Sequence, residues 1–149
     1  MLLRGSPRWA LFFGSAATVL ALVLLVEGSR PPSRLPGVPQ VAHVDKLLHF
    51  GAHFVLASLL AWGGLLWRAG RFRKRLSAAC IGALFADFAL GLGVEVTQYV
   101  LGRAHGRQFE WLDVAANSAG AACAIIAMQM VASGALGAYI KQRRTVPRT

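Results

Sequence analysis

Acidic, basic and imidazole side chains stand together at the start of a long apolar run. Asp45, Lys46, His49 and His53 lie in the stretch DKLLHFGAHF, which leads into residues of membrane-spanning composition. A spacing of four places Asp45, His49 and His53 on one face of a helix. Asp45 alone would also serve as a helix N-cap, but this leaves His49, one turn deeper, without an explanation. Charge beside lipid is costly, so the pattern indicates a polar site that binds a ligand or exchanges protons.

A second polar group closes a later apolar run with the residues EVTQY. Glu95 and Gln98 share a helical face. Glu95 precedes the predicted helix end by about six residues, which is roughly 9 Å at 1.5 Å per residue. An acid at that depth requires a polar partner. The candidate partners are Lys46, His49, Arg103 and Arg107.

A third polar stripe opens the last apolar run. Glu110, Asp113, Asn117 and Gly120 step by three, four and three residues, which is one helical face. Two simpler interpretations remain open: an acid in the first turn stabilises the helix dipole, and a deep asparagine forms an interhelical hydrogen bond. We expect the three stripes to meet in one polar pocket near the outer surface, because each then supplies partners for the others.

The predicted pocket residues are Asp45, Lys46, His49, Glu95, Gln98, Arg107, Asp113 and Asn117. The first two would set the charge at the rim, and the last two would orient the other side chains. His49 and Glu95 would form a proton-exchanging or ligand-binding centre. Arg107 would bind an anionic head group, because a guanidinium group pairs well with phosphate and carboxylate.

Asp87 stands apart from these stripes, near the middle of the third apolar run. It lies eight residues before Glu95, about 12 Å along a helix axis. Two interpretations stay open: a protonated carboxyl hydrogen-bonded inside the bundle, or a group beside a water-filled path.

The composition indicates the elements that must position these groups. Of 149 residues, 56% are hydrophobic and 15% are charged, against roughly 25% charged in soluble domains. The mean hydropathy is +0.52. A soluble fold of this size cannot bury so much apolar surface. The net charge of +10 would suit nucleic acid, but the basic residues lie between apolar runs. Membrane topology therefore explains the charge better, and we expect no nucleic-acid partner.

Four segments are long and apolar enough to cross a bilayer, at about 9–26, 47–67, 76–101 and 111–133. The first exceeds the usual 7–15 apolar residues of a signal peptide and lacks an A-x-A-like cleavage site, so we expect it to be retained. The prediction is a single all-α domain over residues 1–149, a polytopic bundle of four transmembrane helices. Eleven of the sixteen basic residues lie in the N-terminus, the 68–75 connection and the C-terminus, with no acid among them. The positive-inside rule then predicts that both termini are cytoplasmic.

The motifs resemble those of the VanZ-like family of bacterial membrane proteins. DKLLHF resembles the family signature D-K-x-x-H-F. EVTQ and the later RQFEWLDVAANSAG resemble E-x-x-Q and R-x-x-[DE]-x-x-D-x-x-x-N-x-x-G, in the same order and spacing. The resemblance covers residues of about 41 to 125, and it assigns no role to His53 or Asp87. It implies a small multi-pass protein of the bacterial inner membrane. The family's namesake is associated with resistance to glycopeptide antibiotics, chiefly teicoplanin, although many members have no such context.

The resemblance and the residues together predict a cell-envelope protein whose outward-facing pocket binds a lipid head group, a cell-wall precursor or a glycopeptide-like ligand. The expected partner is a membrane lipid or a lipid-linked envelope precursor, and a homo-oligomer is compatible with the sequence. One alternative is an enzyme acting on a lipid-linked phosphate or ester, by acid–base chemistry or with a metal held by His49, Glu95 and Asp113. Neither H-E-x-x-H nor G-x-S-x-G occurs, so no cofactor or metal is predicted. A second alternative is a structural or assembly subunit whose polar stripes only join the helices.

Overall fold

The fold is a bundle of long helices, seen in a computed structural model that describes residues 7–29, 44–67, 72–103 and 108–145. The helices are α1 (Pro7–Ser29), α2 (Val44–Trp67), α3 (Phe72–Gly102) and α4 (Trp111–Thr145). No strand occurs within these described ranges. Each helix is long and apolar enough to cross a membrane, so the predicted all-α architecture with four candidate spans is confirmed.

The helix ends follow local hydrogen-bonding rules. The helix α1 begins at Pro7. Proline lacks a backbone N–H, but the first N–H groups of a helix have no intrahelical acceptor, so no hydrogen bond is lost there. Before α4, the carbonyl of Glu110 accepts the N–H groups of Asp113 (3.0 Å) and Val114 (3.4 Å), which starts the helix. The apolar spans are Pro7–Glu27, Val44–Trp67, Leu76–Leu101 and Trp111–Gly134, close to the predicted ones. The helices α3 and α4 extend past their apolar parts, because arginine, lysine and alanine continue a helix well outside lipid.

Small residues allow the helices to pack closely. α2 packs against α1, α3 and α4, and α3 also contacts α1 and α4. The buried alanines between them include Ala57, Ala61, Ala83 and Ala124. A Cβ atom added at Gly120 would overlap the backbone carbonyl of Phe50, so α2 and α4 approach backbone to backbone at this point. Such small-residue contacts are the usual basis of helix association in lipid.

The bundle buries polar side chains and exposes large apolar ones. Leu47, Phe85, Trp111 and Met130 are each 70–73% exposed. Among the residues whose side chains the structure describes, the buried polar ones are His53, Asp87, Glu95, Gln98, Asp113 and Asn117. Without water in the hydrocarbon region, polar groups must find partners inside the protein. This distribution fits a multi-pass membrane protein. The cytoplasmic position of both termini and the extent of the domain over residues 1–149 stay predictions.

Candidate functional site

Three helices bring their polar stripes to one end of the bundle, where α2 and α4 begin and α3 ends. One ligand atom from each of His49, Glu95 and Asp113 lies within 4.8 Å of the others. Glu95 is fully buried and Asp113 is 5% exposed. We call the group formed with their neighbours the polar cluster. Its members are Asp45, Lys46, His49, Glu95, Glu110, Asp113 and Asn117.

Lys46 joins α2 to the start of α4 through its ammonium group. Its Nζ lies 2.8 Å from Asp45 Oδ2, 2.5 Å from Glu110 Oε2 and 2.5 Å from Asp113 Oδ1. The side chains of Lys46 and Asp113 are only 17% and 8% exposed, whereas those of Asp45 and Glu110 are more than half exposed. The buried pair with Asp113 is therefore the strongest of the three, since water screens the outer two.

The imidazole ring of His49 is oriented by α4. Its Nδ1 lies 3.0 Å from Asn117 Oδ1, and an amide oxygen only accepts, so Nδ1 carries the hydrogen and donates it. The other nitrogen, Nε2, lies 3.7 Å from Asp113 Oδ2. When the ring is neutral and Nδ1 carries the hydrogen, Nε2 has a lone pair, which faces the carboxylate of Asp113.

Glu95 has one oxygen occupied and one without a partner. Its Oε2 accepts the backbone N–H of Glu110 (3.3 Å), which precedes α4 and has no intrahelical partner. Its Oε1 is buried and has no hydrogen-bond partner among the described residues. The sequence did not identify the Glu110 amide, because a backbone donor leaves no residue-type signal. Of the predicted partners, Arg103 instead lies over the ring of Tyr99, with 5.7 Å from Cζ to the ring centroid.

Of the two remaining predicted pocket residues, the structure describes Gln98 but not Arg107. Gln98 is 4% exposed and lines a cavity of about 390 Å³ together with Asp45 and His49. The remaining walls of this cavity are two further polar residues, Glu27 of α1 and His53 of α2, and apolar residues from three helices, Leu24, Leu48, Ala52 and Val94. Arg107 lies outside the described residues, so its binding role stays a prediction.

The polar cluster is acidic. Its carboxylates are those of Asp45, Glu95, Glu110 and Asp113, and its ammonium group is that of Lys46. In the described part of the site, the carboxylates therefore outnumber the ammonium group. Such an excess favours a bound cation, a ligand amine or an extra proton.

A buried pair that sequence analysis missed lies beside the cluster. His53 Nδ1 is 2.9 Å from Asp87 Oδ2, with side chains that are 2% and 0% exposed. The carboxyl of Asp87 is thus hydrogen-bonded inside the bundle, as the first interpretation expects, whereas its protonation and the water-filled path of the second interpretation stay predictions. A Cβ atom added at Gly91 would meet His53 Cε1 at 3.1 Å and Asn117 Nδ2 at 3.2 Å, so this glycine lies against both the pair and the cluster. The sequence signal for this pair was one polar residue deep in each of two spans, His53 in α2 and Asp87 in α3.

Comparison with known protein families gives a match over most of the chain. The family model described as VanZ/LLP1 matches residues 7–132, which include the described members of the polar cluster. No curated protein and no solved structure matches the chain.

Proposed function

The chain belongs to the VanZ/LLP1 family, and from this premise we propose that it is a cell-envelope protein of the bacterial inner membrane whose polar cluster binds the head group of an amphipathic molecule. The ligand classes are a membrane lipid, a lipid-linked cell-wall precursor and a glycopeptide-like compound. In this proposal the cluster faces outward, as the distribution of basic residues favours.

The convergence of His49, Glu95 and Asp113 carries the proposal. Each acid within a span costs about 3 kcal/mol on insertion scales, whereas small residues and asparagine hold helices together at little cost. Two buried carboxylates and an imidazole from three different helices exceed what packing requires. Such groups in membrane spans generally mark a path or a site.

The surroundings of the cluster suit a ligand with both a polar and an apolar part. The cavity beside it combines the polar side chains of Glu27, Asp45, His49, His53 and Gln98 with apolar walls. On another side, the exposed rings of Tyr99 and Trp111 line an apolar groove. Tyrosine and tryptophan favour the head-group level of a bilayer. A head group could occupy the polar part while its chains extend along the apolar surfaces.

A binding measurement tests this function. We expect purified protein in detergent to bind one envelope lipid class saturably when titrated with phosphatidylethanolamine, phosphatidylglycerol or a lipid-linked cell-wall precursor, followed by native mass spectrometry. The acidic cluster favours a head group that carries an amine, so phosphatidylethanolamine should bind more tightly than phosphatidylglycerol. Glu95→Gln should weaken binding at least tenfold, because it removes a buried charge from the site.

Asp87→Asn is the matched control. Both residues lie in α3, both are fully buried, and both substitutions exchange a carboxylate for an isosteric amide. Asp87 belongs neither to the cluster nor to the lining of the cavity, and an asparagine can still hydrogen-bond to His53, so lipid affinity should be unchanged in this variant. Absence of saturable binding for every class tested, or equal losses in the two variants, would contradict the proposal.

The arrangement around His49 also supports a second candidate, an enzyme acting on a lipid-linked phosphate or ester. An imidazole held by Asn117 and facing Asp113 is a common form of general base. Product formation from such a lipid, abolished in His49→Ala and kept in Asp87→Asn, would establish this function. A purely structural subunit predicts instead that Glu95→Gln changes only stability.

A further inference from the structure

The three innermost groups of the cluster lie close enough together for one metal ion to draw them onto a shared centre. Ligand atoms of His49, Glu95 and Asp113 all lie within 4.8 Å of one another. Two donors on the same ion can be at most about 4–5 Å apart, twice a metal–ligand distance of about 2.0–2.4 Å. Small side-chain rotations would therefore bring all three onto a shared centre.

Each of these three side chains contacts a partner through one polar atom, and its second polar atom is available to a metal ion. His49 uses Nδ1 for Asn117, Glu95 uses Oε2 for the Glu110 amide, and Asp113 uses Oδ1 for the ammonium group of Lys46. The atoms left over are Nε2 of His49, Oε1 of Glu95 and Oδ2 of Asp113. Metal ligands in proteins are oriented in this way by a second layer of hydrogen bonds, which also selects the histidine tautomer.

The unpartnered oxygen of Glu95 is the independent observation that points to a ligand. Glu95 is fully buried, and its Oε1 lacks a hydrogen-bond partner within the described part of the chain. Leaving a buried carboxylate oxygen without a partner is costly. A cation between Glu95, Asp113 and the lone pair of His49 would remove this cost and offset the acidic excess of the cluster.

We propose that His49, Glu95 and Asp113 bind one divalent transition-metal ion, with Zn²⁺ as the best match. A neutral imidazole and two carboxylates form a donor set that suits zinc, and three protein ligands leave a further coordination position open. Asn117, the Glu110 backbone amide and Lys46 position the three ligands. This site goes beyond the proposed function, since it requires no lipid.

The competing arrangement is a protonated His49. An imidazolium would donate from Nε2 to Asp113 and would also reduce the negative charge. It would, however, leave no lone pair for a metal. The two arrangements therefore differ in whether the purified chain binds a transition metal at this site at all.

Metal titration of the full chain in detergent tests the proposal. Zn²⁺ binding is measured by isothermal titration calorimetry after treatment with a chelator, and Co²⁺ serves as a spectroscopic probe. We expect one equivalent of Zn²⁺ per chain and visible Co²⁺ absorption bands typical of four or five ligands. His49→Gln, Glu95→Gln and Asp113→Asn should each weaken Zn²⁺ binding at least a hundredfold. Asn117→Ala, which removes only the orienting amide, should weaken it by about 10–100-fold.

His53→Gln is the matched control for the histidine. His53 lies one turn deeper in the same helix and pairs with Asp87, so Zn²⁺ affinity should not change. Gel filtration and circular dichroism verify that each variant remains folded. No stoichiometric Zn²⁺ binding by the wild-type chain would overturn the metal site, as would equal affinity in His49→Gln and His53→Gln. Lipid binding that persists without Zn²⁺ would leave the proposed head-group function intact, so the two proposals can fail separately.

Discussion

Replacing Lys46 by methionine is expected to lower the free energy of unfolding by about 3 kcal/mol, the usual cost of breaking a buried ion pair by removing one partner. The change leaves Asp113, which is only 8% exposed, without the ammonium group 2.5 Å from its Oδ1. Asp45 and Glu110 also lose their cation, but water screens both of them. Equilibrium unfolding in mixed micelles of a mild detergent and sodium dodecyl sulfate measures the effect.

A double-mutant cycle separates this charge effect from loss of the lysine side chain itself. The partner variant is Asp113→Asn, which removes the charge and keeps the shape. If the buried pair is the cause, the double variant should be clearly less destabilised than the sum of the two single variants. Strict additivity would show that Lys46 stabilises the bundle through its outer contacts or its methylene groups instead.

Gly120→Ala is expected to destabilise the bundle by about 1–3 kcal/mol, the range for overpacking. The added methyl group would overlap the carbonyl of Phe50 and lie 3.1 Å from the backbone nitrogen of Phe54. Backbone cannot rotate away as a side chain can, so α2 and α4 must separate. Asn117 lies about one turn earlier on the same helix, and separation would lengthen its 3.0 Å contact with His49. Unfolding in mixed micelles and Zn²⁺ titration should therefore both report the change.

Gly134→Ala provides the control in the same helix. A Cβ atom at Gly134 meets nothing within 4 Å, so the substitution tests only the higher helix propensity of alanine. Stability should be unchanged or slightly raised. A loss equal to that of Gly120→Ala would mean that glycine itself, rather than the close contact with α2, matters in α4.

The sequence by itself determined the four spans, because bilayer thickness sets the number of apolar residues that a helix needs. It also determined which faces carry polar groups, since helical periodicity is local: Asp45 with His49, Glu95 with Gln98, and Asp113 with Asn117. The helices α1 and α2 extend two or three residues beyond the predicted spans, and α3 and α4 extend further beyond their apolar parts. Composition marks where lipid ends, but a helix ends where its hydrogen bonds do.

Tertiary structure alone decided which atoms meet. Three stripes at helix ends can face each other in several rotations, and no local rule selects the one that brings His49, Glu95 and Asp113 together. The pairing of Glu95 with a backbone amide depends on how α3 approaches the start of α4. A metal site assembled from three distant helices has no short spacing motif. The sequence therefore named these residues only as possible metal ligands of an alternative function, and the packing of the helices, which fixes distances between residues far apart in the chain, brings them together.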